Sequence, residues 1–271
     1  EPRDGVMSFK LEAGKMYSAP IVFGPALCPV QNIDGNRYEV QEHVRQYTTV
    51  YSVDQTLLDQ LLPAPMRSVA PHIVVRFERL TDVAWLAGRG FDRAEVLTPV
   101  EVDGLVGLFS MVTWENNGDS ILADRDTRGR AKVYGKFQIE ETGDKTCFAV
   151  ASWAFTFLTG EFDAKPVVGA ELPAYLTDNA GTFTYRQMPR TGNGFTSNDA
   201  DYVVFVPKGS DAPKLTACTG SVAWKCATFE DAPTQYYFLA KLAGMGPVAP
   251  VASCFAEFDR TDDGFDQQIV R

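Results

Sequence analysis

The chain has 271 residues, 45% of them hydrophobic, and carries 35 acidic against 25 basic side chains for a net charge of −10. That balance repels a phosphate backbone, so general nucleic-acid binding is excluded and a small-molecule ligand is the better expectation. Two histidines and five cysteines without a C-x-x-C pair give a multi-His or multi-Cys metal site nothing to build on.

The opening EPRDGVMSFK lacks the basic start and apolar stretch of a secretory signal, and no apolar run approaches the ~18 residues that span a bilayer. The expected protein is soluble, with no membrane contact, and cytoplasmic slightly ahead of secreted after removal of a leader. Alternation then dominates: 38-YEVQEHVRQYTTVYSV-53, 72-HIVVRFERL-80, 91-FDRAEVLTPVEV-102 and 105-LVGLFSMVTWE-115 read as strands, with Asp103-Gly104 as a hairpin turn. Asp54 can cap a short helix over 55–63 that Pro63 ends. A second helix begins near Asn117 and runs through 118–126. The runs 132-KVYGKFQIEE-141 and 145-KTCFAVASWAFTFL-158 read as a hairpin joined by 142–144. The stretch 189–199 is loop, and strands follow at 201–207, 214–229 and 251–259, with a helix at 233–244 between a Pro and a Gly. No repeat or low-complexity linker divides the chain, which predicts one antiparallel-β-dominated domain over residues 1–271 with a few helices packed on it. Cys218 and Cys226 can face each other across a hairpin; an odd cysteine count more often means free buried thiols.

Residues 124–137, DRDTRGRAKVYGKF, gather Arg125, Arg128, Arg130, Lys132 and Lys136 in an acidic chain. A plain reading makes this a solvated basic turn that offsets Asp124 and Asp126. A chemical reading makes Lys132 a nucleophile, because a neighbouring cation or an apolar pocket disfavours the ammonium form of a lysine. If Lys132 starts a strand, Arg130 and Tyr134 share its face.

The segment 114-WENNGDSILADRDTRGRAKV-133 resembles, without a gap, the part of acetoacetate decarboxylases that runs from an aromatic-Leu-Asp-Asn turn through Ala-Ile-Ala and Gly-Arg-Glu to Pro-Lys-Lys. Asn117, Ile121, Ala123, Arg125 and Lys132 fall on family positions, and Asp126 replaces the Glu. The segments 75-VRFE-78, 99-PV-100, 47-YTTVYSVD-54, 57-LLDQLLPAP-65 and 17-YSAPIVFGP-25 are similar in the same order, and 233-PTQYY-237 more loosely. The resemblance implies an α+β fold, mostly antiparallel β, as a closed or cone-like barrel or double sheet with a few packed helices. It also implies a homo-oligomer and a lysine imine at Lys132, with neither metal nor organic cofactor.

The departures bear on chemistry. The family's second lysine, which lowers the nucleophile's pKa, is Val133 here, so that task falls to Arg130, Arg125, Arg128 or burial. Glu78 lies on one family active-site carboxylate; the other lies on Arg93, and Glu95 is two residues on, facing the same side of a regular strand. Arg45 is one residue out of register with the family's substrate-carboxylate arginine. A more cationic pocket suits a carboxylate substrate but stabilises it against loss of CO2. Members with altered pockets catalyse aldol condensation and dehydration of keto acids, and the chain looks closer to them.

The expected protein is therefore a lyase for a small 2- or 3-oxo acid, with aldol/dehydration favoured over decarboxylation. Lys132, Glu78, Glu95 and Glu230 form the catalytic set, and Arg45, Arg93, Arg130, Tyr134 and Gln138 line the substrate. Glu230 also has a bland role at the start of a helix. Two rivals stand beside this: a non-catalytic β-barrel for an apolar ligand, with Lys132 as a structural cation, and a carbohydrate-active β-protein using Glu78 and Glu95. His43 and His72 read as structural, and Trp114, Trp153 and Trp224 as packing residues.

Overall fold

Strand-forming residues carry the chain into two sheets. The computed structural model describes residues 9–26, 40–192, 197–208, 213–262 and 266–270. Its strands are β1 (Val40–Ser52), β2 (Arg67–Ser68), β3 (His72–Val83), β4 (Arg89–Val102), β5 (Leu105–Glu115), β6 (Lys132–Tyr134), β7 (Lys136–Thr142), β8 (Lys145–Ser152), β9 (Phe155–Asp163), β10 (Gly181–Pro189), β11 (Asn198–Pro207), β12 (Thr216–Ala217), β13 (Thr219–Trp224), β14 (Ala249–Asp262) and β15 (Gln268–Val270). The helices are α1 (Gln55–Asp59), α2 (Gly118–Arg128), α3 (Ala174–Thr177) and α4 (Tyr236–Gly244).

Eleven strands form one sheet in the order β12-β14-β1-β3-β4-β5-β10-β11-β15, with β2 on β4 and β6 on β5; β13-β9-β8-β7 form the other. Only the pairings of β5 with β10 and with β6 are parallel among the described residues. The fold is the α+β, mostly antiparallel class expected, as a double sheet: among the described residues the end strands β12 and β15 do not pair to close a barrel. No helix of the described residues is long and apolar enough to cross a membrane.

The hairpin at Asp103-Gly104 forms, with φ of 50° and 81° as a primed turn needs. Asp54 caps α1 by accepting from the Leu57 amide. The two runs of the supposed second hairpin divide further. Run 132–141 breaks at Gly135, placing β6 and β7 in different sheets, and a Cβ at Gly135 would lie 3.0 Å from Trp114 Cβ. Run 145–158 reverses at Trp153, whose φ of 55° leaves its ring 73% exposed instead of packed. Run 214–229 likewise splits into β12 and β13, one in each sheet. Cys218 precedes β13 and Cys226 follows it, so the strand itself holds them apart, and both are free thiols. The last helix starts at Tyr236 and ends on Gly244, three residues later than Pro233 implied.

Strand alternation divides the large sheet into two faces. One carries Tyr47, Tyr51, Ile73, Val75, Phe77, Ala94, Val96, Val112 and Trp114, which meet Phe148, Val150, Phe157, Leu158 and Phe162 of the small sheet to form the main core. Trp114 packs at a tilt against Phe157, Trp224 and Phe238, and its indole N–H donates to Gln235 Oε1 at 2.8 Å. With its largest side chains spent there, the opposite face of the same strands is left to the charged residues.

Candidate functional site

The opposite face follows from the register. Glu78 on β3 pairs with Gln46 on β1 and Arg93 on β4; Arg76 pairs with Thr48 and Glu95; Arg93 pairs with Glu115 on β5; Glu42 pairs with Arg260 on β14. Apolar groups flank this band on both sides: Val50, Val74, Leu97, Tyr175 and Leu176 at one end, Val44, Leu80, Val83 and Phe91 at the other. Four acids, Glu42, Glu78, Glu95 and Glu115, and three arginines, Arg76, Arg93 and Arg260, therefore share a layer that the fold largely covers.

Lys132 enters the layer at the first position of β6, opposite Thr113 of β5. The helix before it supplies the cover. Asn117 caps α2 by accepting from the Ser120 amide at 2.8 Å, and Gly129, at φ 66°, ends it in a left-handed conformation. Ser120, Asp124 and Arg128 recur at four-residue spacing, so α2 turns a polar stripe toward the sheet while Leu122 faces water.

The Lys132 side chain is 0% exposed, and its ammonium donates to Glu115 Oε1 at 2.8 Å, Asp124 Oδ2 at 2.7 Å and Ser120 Oγ at 2.9 Å. Three acceptors match the three N–H bonds of an ammonium. Pairing continues outward in both directions. Glu115 Oε1 takes Arg93 Nε at 2.7 Å, Arg93 Nη1 reaches Glu78 Oε2 at 2.9 Å, and Arg260 bridges Glu78 to Glu42. On the other side Arg130 lies between Asp124, at 3.7 Å, and Glu95 Oε1, at 3.0 Å; Arg76 meets Glu95 Oε2 at 3.5 Å, and Ser110 donates to Glu95 Oε1 at 2.7 Å.

Electrostatics keeps Glu78, Glu115 and Asp124 ionised. Burial pushes the Glu78 carboxyl up, but Arg260, Arg93, Arg76 and Arg130 outweigh it and pull it down to about 2. Burial likewise raises Glu115, and Lys132 with Arg93 brings it below its ordinary value. Asp124 is lowered strongly by Lys132, Arg128 and Arg130 against the same burial cost. Arg93 is raised, because Glu115 and Glu78 overcome the burial that disfavours its charge.

The structure brings Lys132, Glu78, Glu95, Arg93 and Arg130 together. Four other expected residues lie elsewhere. Arg45 is on the opposite face of β1, bound to Glu141 at 2.8 Å and the Tyr47 hydroxyl at 3.0 Å; one residue out of register on a strand is the other side of the sheet. Tyr134 is 54% exposed and, with Gln138, borders a groove of about 520 Å³ on the outer face of the small sheet. Glu230 is exposed in the turn before α4, where neighbouring Asp231 accepts from the Thr228 amide at 3.0 Å.

Sequence reading missed the groups that touch Nζ. Glu115 ends a strand whose buried positions are otherwise uncharged, and it stands where the motif above has leucine; Asp124 stands at the motif's glycine. Arg260, over 120 residues downstream, gave no signal. The nearest charges to Nζ are carboxylates and not the guanidiniums that the basic run suggested. Nor do Glu78 and Glu95 form the free acid pair of a glycosidase, since each is held by arginines and Glu78 holds no proton to donate near neutral pH. Among the described residues, no cluster of His, Cys, Asp and Glu is placed to hold a metal ion.

A family model described as acetoacetate decarboxylase matches residues 26–244. Among solved structures, acetoacetate decarboxylase from Legionella pneumophila is 14% identical with TM-score 0.69, over 87% of this chain and 91% of that one. An acetoacetate decarboxylase-like enzyme from Sphingomonas wittichii RW1 is 15% identical with TM-score 0.67, over 85% and 93%. The enduracididine biosynthesis enzyme MppR, complexed with the condensation product of pyruvate and imidazole 4-carboxaldehyde, is 12% identical with TM-score 0.71, over 95% and 97%. No curated protein sequence matches the chain.

Proposed function

The chain belongs to the acetoacetate decarboxylase family, and from that premise we propose that it is a lysine-imine lyase for a small oxo acid, with aldol or dehydration chemistry ahead of decarboxylation. The observation that carries this reading is the setting of Lys132: a wholly buried amine touching two carboxylates and a hydroxyl, beside a bank of guanidiniums.

Imine formation needs a proton acceptor at nitrogen and a donor at the carbonyl oxygen. Glu115 and Asp124 lie on the nitrogen. One of them takes a proton from the ammonium, and the freed lone pair attacks the carbonyl carbon as the π bond breaks toward oxygen. Both hydrogens of the water that leaves come from the nitrogen, and the positive charge stays on the iminium. The same carboxylates then stand beside the α-carbon, where removing a proton gives the enamine that attacks an aldehyde. Decarboxylation asks instead for a substrate carboxylate with little to hold it, and here arginines would stabilise it in the ground state. Solvent reaches Asp124, 21% exposed, and the arginines, but not Nζ, so substrate approaches from that side.

A second reading follows from the same contacts: with all three N–H groups engaged, Lys132 serves as a fixed cation in a structural network. An apolar-ligand barrel fits less well, because the walls here are charged. Incubation with pyruvate or acetoacetate, borohydride reduction and peptide mass spectrometry decide between them. An adduct on Lys132, absent in Lys132→Ala, is expected; no adduct with these acids or a wider carbonyl panel sinks the imine reading. Release of CO2 from acetoacetate separates the two lyase reactions.

A further inference from the structure

Three side chains meet Nζ, and only one of them is neutral. Against the cost of burial, Lys132 and the nearby guanidiniums hold Glu115 and Asp124 below their ordinary values, so near neutral pH each can accept a proton but starts with none to give. The guanidiniums donate hydrogen bonds without releasing a proton. Ser120 can do both. It is 6% exposed, its Oγ accepts from Nζ at 2.9 Å, and among the described residues no acceptor takes its own O–H.

Local structure fixes this aim. Ser120 is the third residue of α2, and its amide donates to the capping Asn117 Oδ1 at 2.8 Å. Its carbonyl oxygen lies 3.4 Å from Nζ, so backbone and side chain both face the nucleophile. Helical serines commonly turn the hydroxyl onto a carbonyl one turn back, and this one is committed to the lysine instead.

Resting on the lysine-imine reading above, we propose that Ser120 is a catalytic residue that relays a proton from the nitrogen of Lys132 to the oxygen of the bound carbonyl. Attack by the neutral amine leaves a positive nitrogen and a negative oxygen on one carbon. Passing a proton straight between them closes a small, strained ring, whereas passing it through a hydroxyl that touches both closes a larger one. An oxygen bonded to the same carbon as Nζ lies beside any group in contact with Nζ, which puts Ser120 Oγ within its reach. Oγ takes a hydrogen from nitrogen as it gives its own to that oxygen, and the serine ends as it began. The carbinolamine then receives a second proton from the carboxyl group that took one from the ammonium. The C–O bond breaks, water leaves, and the nitrogen lone pair closes the C=N bond. In net, two hydrogens pass from nitrogen to water and one stays on the iminium. The same relay run backward serves hydrolysis of the product imine.

The test uses wild type, Ser120→Ala, Ser120→Cys and Ser120→Thr, with thermal melts to show that each is folded. Each protein is mixed with pyruvate or acetoacetate and quenched with borohydride at successive times, and the adduct on Lys132 is quantified by peptide mass spectrometry. The alanine variant is expected to approach its final adduct level about a hundredfold more slowly and to reach the same level as wild type, because a relay lowers the barrier in both directions without moving the equilibrium. Threonine, which keeps a hydroxyl, recovers most of the rate. Cysteine, with a weak thiol donor, falls between and keeps the proposal testable if Ser120→Ala does not fold. A rate loss under about threefold in alanine, or a changed final level at an unchanged rate, overturns the relay and leaves Ser120 as a support for the ammonium. A folded threonine variant as slow as alanine overturns it too. A wild type that forms no adduct with these acids or a wider carbonyl panel fails the imine reading and the relay together, whereas equal rates in wild type and Ser120→Ala fail the relay alone.

Discussion

Replacing Lys132 with methionine removes the cation between two buried acids and shortens the unbranched side chain by one atom. Glu115 retains Arg93 at 2.7 Å but loses its 2.8 Å partner, and among the described residues Asp124 retains the ion pairs with Arg130 at 3.7 Å and Arg128 at 3.8 Å. Removing one member of a buried pair costs about 3–5 kcal/mol. The lower end applies, because Asp124 keeps some water and two guanidiniums. A loss of about 3 kcal/mol in a domain of this size lowers Tm by roughly 6–12 °C. The pH dependence carries the sharper information. Glu115 is lowered below its ordinary value, so its pairing stabilises the fold above the normal carboxyl range and is lost as pH falls through the folded-state value. Wild type therefore loses its advantage on acidification, and the Tm gap to Lys132→Met should narrow from pH 7 toward pH 4. The double variant with Glu115→Leu, which restores an apolar residue at that position, should be less damaged than the two single changes together, with a coupling of about 1–3 kcal/mol. Urea unfolding of the four proteins at both pH values measures this cycle. A Lys132→Met protein as stable as wild type, or a gap that is equal at both pH values, would refute the network as described.

Two further outcomes follow from the same structure. Glu78 is drawn from 4.5 to about 2, which amounts to about 3 kcal/mol of stability present above pH 4.5 and lost as pH falls toward 2. Glu78→Gln should be less stable at neutral pH and show a flatter acid limb in denaturant titrations; an unchanged acid limb refutes the assignment. Trp114, fully buried, and Trp153, 73% exposed, should respond differently to alanine: about 3–5 kcal/mol lost at Trp114 and within about 0.5 kcal/mol of wild type at Trp153, read by chemical denaturation.

How far the sequence was legible depended on the range of the interaction. Alternating residues announced β1, β3, β4 and β5 because strand faces are set locally, and the cap at Asp54 announced α1 for the same reason; the start of α2 near Asn117 was also legible. Strand β10 carries no comparable pattern, and it is fixed from outside by pairing with β5 and β11. Gly135 and Trp153 broke apparently continuous runs, because the close approach of Trp114 and a left-handed turn are invisible in hydropathy.

The sequence by itself determined the fold class, through apolar alternation, and singled out Lys132, through the order and spacing of a family motif. It also placed Arg93 and Glu95 on one face, since side chains two residues apart on a strand point the same way. Only the tertiary structure decided what surrounds the amine. Glu115, Asp124 and Ser120 come from a strand end and a helix stripe, and Arg260 from a strand more than 120 residues on; their charges compensate one another only after the sheet and α2 have closed. A cation's partner in space leaves no periodic trace along the chain, because burial and pairing act across the fold and through distances of a few ångströms.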